Sequence, residues 1–265
     1  LNEIVKKART MGGIMSVCRA FNIPSKVAVP IGTPAEAANW HTEGAAVDSE
    51  KPAVTSVSFD GYEIMKVFSI SEKARKMSVS AFEGYMTQEL NASVMECIAN
   101  ALVNGTGSAQ GTGILKGVEW EDGKNALTFD KTAGLKYADV VKTVAALKRG
   151  YANGAVWAMN NATLYNLFYG LVDTNGRPVF IADPKSEGIG KILGFPVVVD
   201  DYIADETALF GNFNYMGYNM PEGITVEASR ESSFKKGLID YRAMAIADCK
   251  PIVPEAFVKL TRAAS

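Results

Sequence analysis

The chain has 265 residues, 48% of them hydrophobic and 21% charged, which is enough for one large domain or two modest ones. Lys and Arg number 27 against 29 acids, and a net charge of −2 leaves no global basic field for nucleic acid or a membrane surface. A single histidine, His41, excludes most imidazole-based metal and triad chemistry, and no apolar run reaches the roughly 18 residues of a membrane span.

Charge is locally segregated. The first 35 residues hold five bases (Lys6, Lys7, Arg9, Arg19, Lys26) and one acid, whereas residues 36–63 hold six acids and one base, Lys51. Adjoining blocks of opposite sign either attract, within or between molecules, or stand as two solvated faces. Arg9, Gly12 and Arg19 break any signal-peptide pattern, and an opening Leu1 in place of Met fits a processed or a trimmed chain. Cys18, Cys97 and Cys249 lie far apart in sequence and read as buried thiols of a reducing compartment. Pro24, Pro30 and Pro34 keep the first segment extended, and few core-forming positions follow Phe21 and Ile23, so it reads as an arm.

In residues 38–71, Val54, Val57 and Phe59, then Ile64, Val67, Phe68 and Ile70, predict two strands with Asp60-Gly61 as the turn between them. Residues 42–52 are rich in Gly, Ala, Ser and acids and show no periodicity. Arm and hairpin reach tens of Å at roughly 3.3 Å per residue. An isolated hairpin is marginal in water, so this feature needs something to lie on, and the chain has little core left to offer it.

The strongest helix is predicted over residues 80–104, where Phe82, Tyr85, Met86, Leu90, Val94, Ile98, Ala101 and Leu102 make one apolar stripe before Gly105 and Gly107. A second helix is expected over 137–152, with Val140, Val141, Val144, Leu147 and Tyr151 on one side. A buried strand over 155–159 then leads to a third helix capped by Asn160 or Asn161. Residues 173–190 hold turn formers and read as a long exposed loop or hairpin. Strands are expected at 197–199, 208–210, 215–219, 224–228 and 238–247.

Catalytic templates fail. Gln110 stands where the third Gly of a dinucleotide loop belongs, and Gly105-Thr106-Gly107 follows a helix where that loop follows a strand. Around Gly190-Lys191, Lys185 and Ile192 occupy the Gly and Ser/Thr positions of a P-loop. No G-x-S-x-G elbow accompanies His41, which reads as a surface or interface residue. Asp200-Asp201 and Asp205-Glu206 lack cation-ligand spacing and read as solvated turns. Lys6, Lys7 and Arg9 suit weak, sequence-independent contact with phosphates. The expectation is a non-enzyme without metal or cofactor.

An ordered series of short motifs resembles the tailed-bacteriophage major capsid protein family, the Hong Kong 97-type shell fold. It runs from Trp40-His41-Thr42-Glu43-Gly44 through Ile70-Ser71-Glu72 with Ser80-Ala81-Phe82 to Gly111-Thr112-Gly113-Ile114-Leu115. Trp157-Ala158-Met159-Asn160, Asp173 to Pro178 and Leu193-Gly194-Phe195-Pro196-Val197 come next. Phe210-Gly211-Asn212, Tyr241-Arg242-Ala243 and Glu255-Ala256-Phe257 complete it.

The resemblance implies an α+β chain with an N-terminal arm (1–36), an extended β-hairpin loop (37–71) and a peripheral domain holding the long spine helix (72–126 and 224–250). It further implies an axial domain (127–223), with its tip in 173–190 at a fivefold or sixfold centre, and a C-terminal segment (251–265) returning to the axial side. The implied function is a major capsid protein whose hexamers and pentamers build an icosahedral shell around double-stranded DNA, assembled in the host cytoplasm and resident in the virion. Its implied partners are copies of itself, a portal, scaffold or maturation protease, and packaged DNA in weak contact with Lys6, Lys7 and Arg9; no membrane is involved. Some members of the family lock the shell by a Lys–Asn isopeptide bond. Lys51 could donate here, but residues 228–237 contain no Asn, which predicts a non-covalent shell with Arg230, Glu231, Lys235 and Lys236 in ion pairs between capsomers. Trp40, Glu43, Lys51 and Asp60 are the expected contact residues of the loop, and deletion of residues 39–69 is expected to leave a folded domain that builds no shell. An encapsulin-type cellular nanocompartment shares the fold and is the alternative; an α/β enzyme is less favoured.

Overall fold

Helix α1 (Ala81–Asn104) is the element the sequence specifies most directly. Met86, Leu90, Val94, Ile98 and Leu102 recur every four residues and are all buried. The computed structural model describes every residue except 1–7, 11, 25–26, 36–37, 39, 41, 45–48, 50, 52, 74–80, 174, 181–189 and 264–265. In it, this stripe lies across a five-stranded sheet organised by one long strand, β12 (Leu238–Pro251).

β4 (Tyr62–Ser71) runs antiparallel to β12 from Leu238↔Ser71 to Ala247↔Tyr62. β11 (Thr225–Ser229) pairs with the first half of β12, and β10 (Met216–Asn219) with its last four residues. β1 (Arg19–Phe21) adds to β10 in parallel. Ala243, Ala245 and Ala247 of β12 pack against Leu90, Val94 and Ile98, and their small side chains let the helix lie close. Each buried Leu, Val or Ile of this layer contributes about 1.5–3 kcal/mol.

A second sheet of six strands has the order β5 (Ala126–Phe129), β13 (Phe257–Arg262), β9 (Thr207–Gly211), β6 (Val156–Met159), β8 (Phe195–Val199) and β7 (Lys191–Ile192). Its central strands bury both faces. Trp157, Met159, Phe210, Val258 and Leu260 join Val140 of helix α2 (Tyr137–Ala146) with Leu164 and Phe168 on one side. Val156, Ala158, Leu209 and Phe257 join Leu102 and Val103 from the end of α1 on the other. Between α1 and Ile114, the Gly-rich connection folds into a tight turn bridged at Thr106↔Thr112. A Cβ on Gly111 would stand 2.4 Å from the Cys249 sulfur, so glycine here serves close packing.

Several expectations are corrected. Asp60-Gly61 does not close a hairpin between its flanking strands: β3 (Val54–Phe59) pairs with β2 (Val27–Gly32), while β4 belongs to the five-stranded sheet. A two-residue type I′ turn needs positive φ at both positions, and only Gly61 has it (φ 86°). The ten-residue partnership with β12, backed by Ile64 and Phe68 against α1, prevails. The loop expected at 37–71 is therefore a ribbon of β2 and β3, one strand of which lies in the region read as arm. Deleting 39–69 would remove most of β4, and with it sheet structure. Pro30 is tolerated in β2 because a two-stranded ribbon is all edge.

The arm itself is docked: Ile14 is fully buried, and β1 is part of a sheet. Met216–Asn219, expected in the axial domain, pairs with β12, whereas Phe257–Arg262 lies inside the six-stranded sheet. The predicted second helix breaks at Leu147, whose ψ of 126° is extended, before a further turn at Arg149–Ala152. Leu147 is drawn into the core there, and the apolar spacing continues across the break. Asn160 caps the next helical turn, its side chain accepting from Thr163 N at 2.8 Å.

Candidate assembly surfaces

The ribbon carries six register pairs, from Val27↔Phe59 to Gly32↔Val54, continued by Thr33 N donating to Ala53 O at 2.9 Å. Its foot is fixed. Phe59 is buried with Ile252, and Phe21, Val29, Ile31, Val57 and Val253 close around them. The Phe21 and Phe59 rings stand 5.5 Å apart. The Asp60 backbone N–H donates to the buried Asp248 carboxylate at 2.7 Å, and Lys250 Nζ donates to Ser58 O at 2.7 Å and reaches the Asp60 carboxylate at 3.4 Å. Asp60, expected at a contact between subunits, is thus part of this internal anchor.

Beyond the foot, little of what is described is covered. Trp40, at 104% relative exposure, stands free in the loop joining β2 to β3, where Glu43 and Lys51 are also exposed. Val54 is 64% exposed at the end of β3. His41 lies outside the described residues.

Arg230, Glu231, Lys235 and Lys236 all project from the connection between β11 and β12. That connection is braced: the Ser232 and Ser233 hydroxyls donate to Asp240, and Gly237 closes the turn at φ 61° while its carbonyl accepts from Glu72 N. Hydrogen bonds from Ser232, Ser69 and Ser233 hold the Asp240 carboxyl below the usual carboxylate range. At the apex Phe234 is 79% exposed, an apolar side chain held out on a fixed turn. Sequence reasoning missed it, although a lone aromatic between Ser233 and Lys235 was a visible signal. Exposed Met65, Val67 and Ile246 on β4 and β12 were missed as well, because only the pairing of those strands shows which face is open.

Arg9 is not a free phosphate ligand: its guanidinium pairs with Glu89 and, at 2.7 Å, with Glu96 of α1. Those contacts raise its pKa above the ordinary value. Lys6 and Lys7 lie outside the described residues. The acids read as solvated turns also have structural work. Asp200 is buried and accepts from Ile14 N and Tyr202 N, Asp205 accepts from Asn160, and Glu206 pairs with Arg262. Of the three thiols, Cys249 is buried and pushed up to about 12, Cys18 is partly covered, and Cys97 is exposed, against expectation.

The sequence model of the Phage capsid family matches residues 1–262. The chain belongs to the phage capsid family. It is a major capsid protein of the tailed-phage type, a structural component of the virion shell and not an enzyme. Among solved structures it is similar to the capsid of a native GTA particle computed with C5 symmetry, with a TM-score of 0.86 at 19% identity over 98% of this chain and 93% of that one. Microbacterium phage Oxtober96 (TM-score 0.77, 16% identity, 99% and 95% covered) and Mycobacterium phage Bobi (0.77, 12%, 100% and 95%) are similar at full length. These likenesses show the Hong Kong 97-type fold of this capsid protein. No curated protein matches its sequence. The nanocompartment alternative gains no support from the matching family.

Proposed function

We propose that this capsid protein assembles as hexamers and pentamers into an icosahedral shell around double-stranded DNA, in the host cytoplasm and with a portal, scaffold or maturation protease as partners. The capsid with C5 symmetry among its structural neighbours supports rings of five. Heterologous contacts that close by rotation suit such rings. In this reading α1 with its five-stranded sheet is the peripheral part and the six-stranded sheet the axial part; the tip near the symmetry axis falls in residues 173–190, of which 174 and 181–189 lie outside the described residues. Lys6 and Lys7 supply the weak DNA contact.

The observation that carries the proposal is the ribbon. Two strands with an exposed loop gain too little at home to be stable alone, and among the described residues this one is anchored at its foot. The ribbon loop holds Glu36, Glu43, Asp48 and Glu50 against Lys51, and the β11–β12 connection holds Arg230, Lys235 and Lys236 against Glu231. Opposite net charge suits the loop of one copy to the connection of another, with Trp40 and Phe234 as the apolar partners. These contacts are non-covalent, so boiled particles run as a monomer band, and a ladder contradicts them.

The test replaces residues 33–53 by a short turn between β2 and β3, leaving β4 intact. The expected product melts cooperatively as a subunit or capsomer and forms no shells. Normal shells in electron micrographs overturn the proposal.

A further inference from the structure

Arg9, Gly12, Gly13 and Ile14 touch both layers of the molecule within six positions. On the helix side, Arg9 faces Glu89, Ser93 and Glu96, which share one face of α1 at four- and three-residue steps. One guanidinium nitrogen meets Glu89 and stands 3.5 Å from the Ser93 hydroxyl; the other meets Glu96 at 2.7 Å. All three charged side chains are about 30% exposed (29%, 29% and 33%), so the fork is only partly screened by water.

The chain then presses between helix and sheet. A Cβ on Gly12 would lie 2.5 Å from the Ala99 methyl of α1, and one on Gly13 would lie 2.0 Å from the Val199 carbonyl oxygen at the end of β8. No side chain fits at Gly13 without moving backbone. Ile14 follows, fully buried among residues of both bodies, including Leu102 and Val103 of α1 and Leu209 of β9. Its N–H donates to the buried Asp200 carboxylate at 3.0 Å.

We infer that Arg9 and residues 12–14 form a strap that sets the angle between the spine helix and the six-stranded sheet, with the Arg9 fork as its latch. The strap crosses the junction where α1 leaves one layer and enters the other. The strap is not alone there: Met216 of β10 and Cys249 of β12 share one buried cluster with Leu209 and Phe257 of the six-stranded sheet, and Asn104 donates to Tyr202 O at 2.9 Å. The steps at Gly12 and Gly13 leave no slack, so a closed latch admits one helix–sheet geometry. An open latch lets the layers shift, and in a shell that angle becomes curvature.

Hydrogen exchange on dissociated subunits reads the latch, and electron micrographs of particles read its consequence, so the first readout stands even where shells fail to form. In Arg9→Ala the amides of Ile14 and Cys18 should exchange about tenfold faster, with those of β6 and β9 unchanged, and shell diameters should broaden. Glu96→Gln should give a smaller acceleration of the same amides, which keeps the test open if Arg9→Ala does not fold. Gly13→Ala should reproduce the broadened diameters with the charges intact. Unchanged exchange at Ile14 in both charge variants overturns the latch. Faster exchange with wild-type diameters overturns its role in shell geometry.

Discussion

The body and the ribbon of this capsid protein use the same β-branched and aromatic residues to opposite ends. In the six-stranded sheet, β6 buries every residue of Val156–Met159, because helices cover one face and the end of α1 the other. In the ribbon, the buried residue Phe59 sits at the foot, and exposure rises along β3 to 64% at Val54. β6 is apolar at every position, whereas β3 turns only Val57 and Phe59 inward. What differs is the supply of a second layer. A strand without one is an interface waiting for another molecule.

Trp157→Ala should break the body. Its ring is fully buried 4.6 Å from Phe210 and 5.4 Å from Phe168, and its loss should cost about 3–5 kcal/mol in denaturant unfolding of the subunit. A cost under about 1 kcal/mol would mean that the six-stranded sheet is not the core. Asp200 sharpens the contrast through pH. Burial raises its carboxyl above the ordinary value despite hydrogen bonds from the backbone of Ile14, Tyr202 and Gly13. The folded state therefore holds this proton at a pH where the unfolded chain has lost it. Its contribution favours folding below the unfolded value of about 4 and falls away as pH rises through the folded value. Relative to Asp200→Asn, the wild type should gain stability on acidification, measured as the difference between paired urea melts. Because Asp130 and Asp240, both shifted downward, act in both proteins, they cancel in that difference. A relative loss on acidification would contradict the assignment. The smallest expected effect on the subunit is that of Trp40→Ala, within about 0.5 kcal/mol in the same unfolding experiment. Its effect should appear as a lower yield of particles, and a large loss of subunit stability would show that the ribbon loop is packed at home.

Local patterns made α1 legible almost to the residue, because five apolar positions four apart leave one solution. Partnership was less legible. Asp60-Gly61 marks a change of direction, yet nothing near it in sequence says that β4 belongs to β12, more than 160 residues away. Short strands such as Ala126–Phe129 carry too few positions to show a period, and β2 hides behind Pro30. Trp40, Lys51 and the residues around Lys235 stand out in the sequence, and the structure leaves their side chains exposed. Arg9 was misread because its carboxylates lie 80 or more residues downstream, and a base seen in sequence alone looks free.

One placement governs timing. β13 lies between the edge strand β5 and β9, so residues near 260 join a strand that begins at 126 to inner strands that begin at 156, 195 and 207. Until Phe257–Arg262 leaves the ribosome, β5 has no strand among the described residues to join it to that sheet, and this flank of the subunit is unfinished. A copy terminated before residue 257 therefore leaves this layer unfinished and is expected to stay out of the lattice.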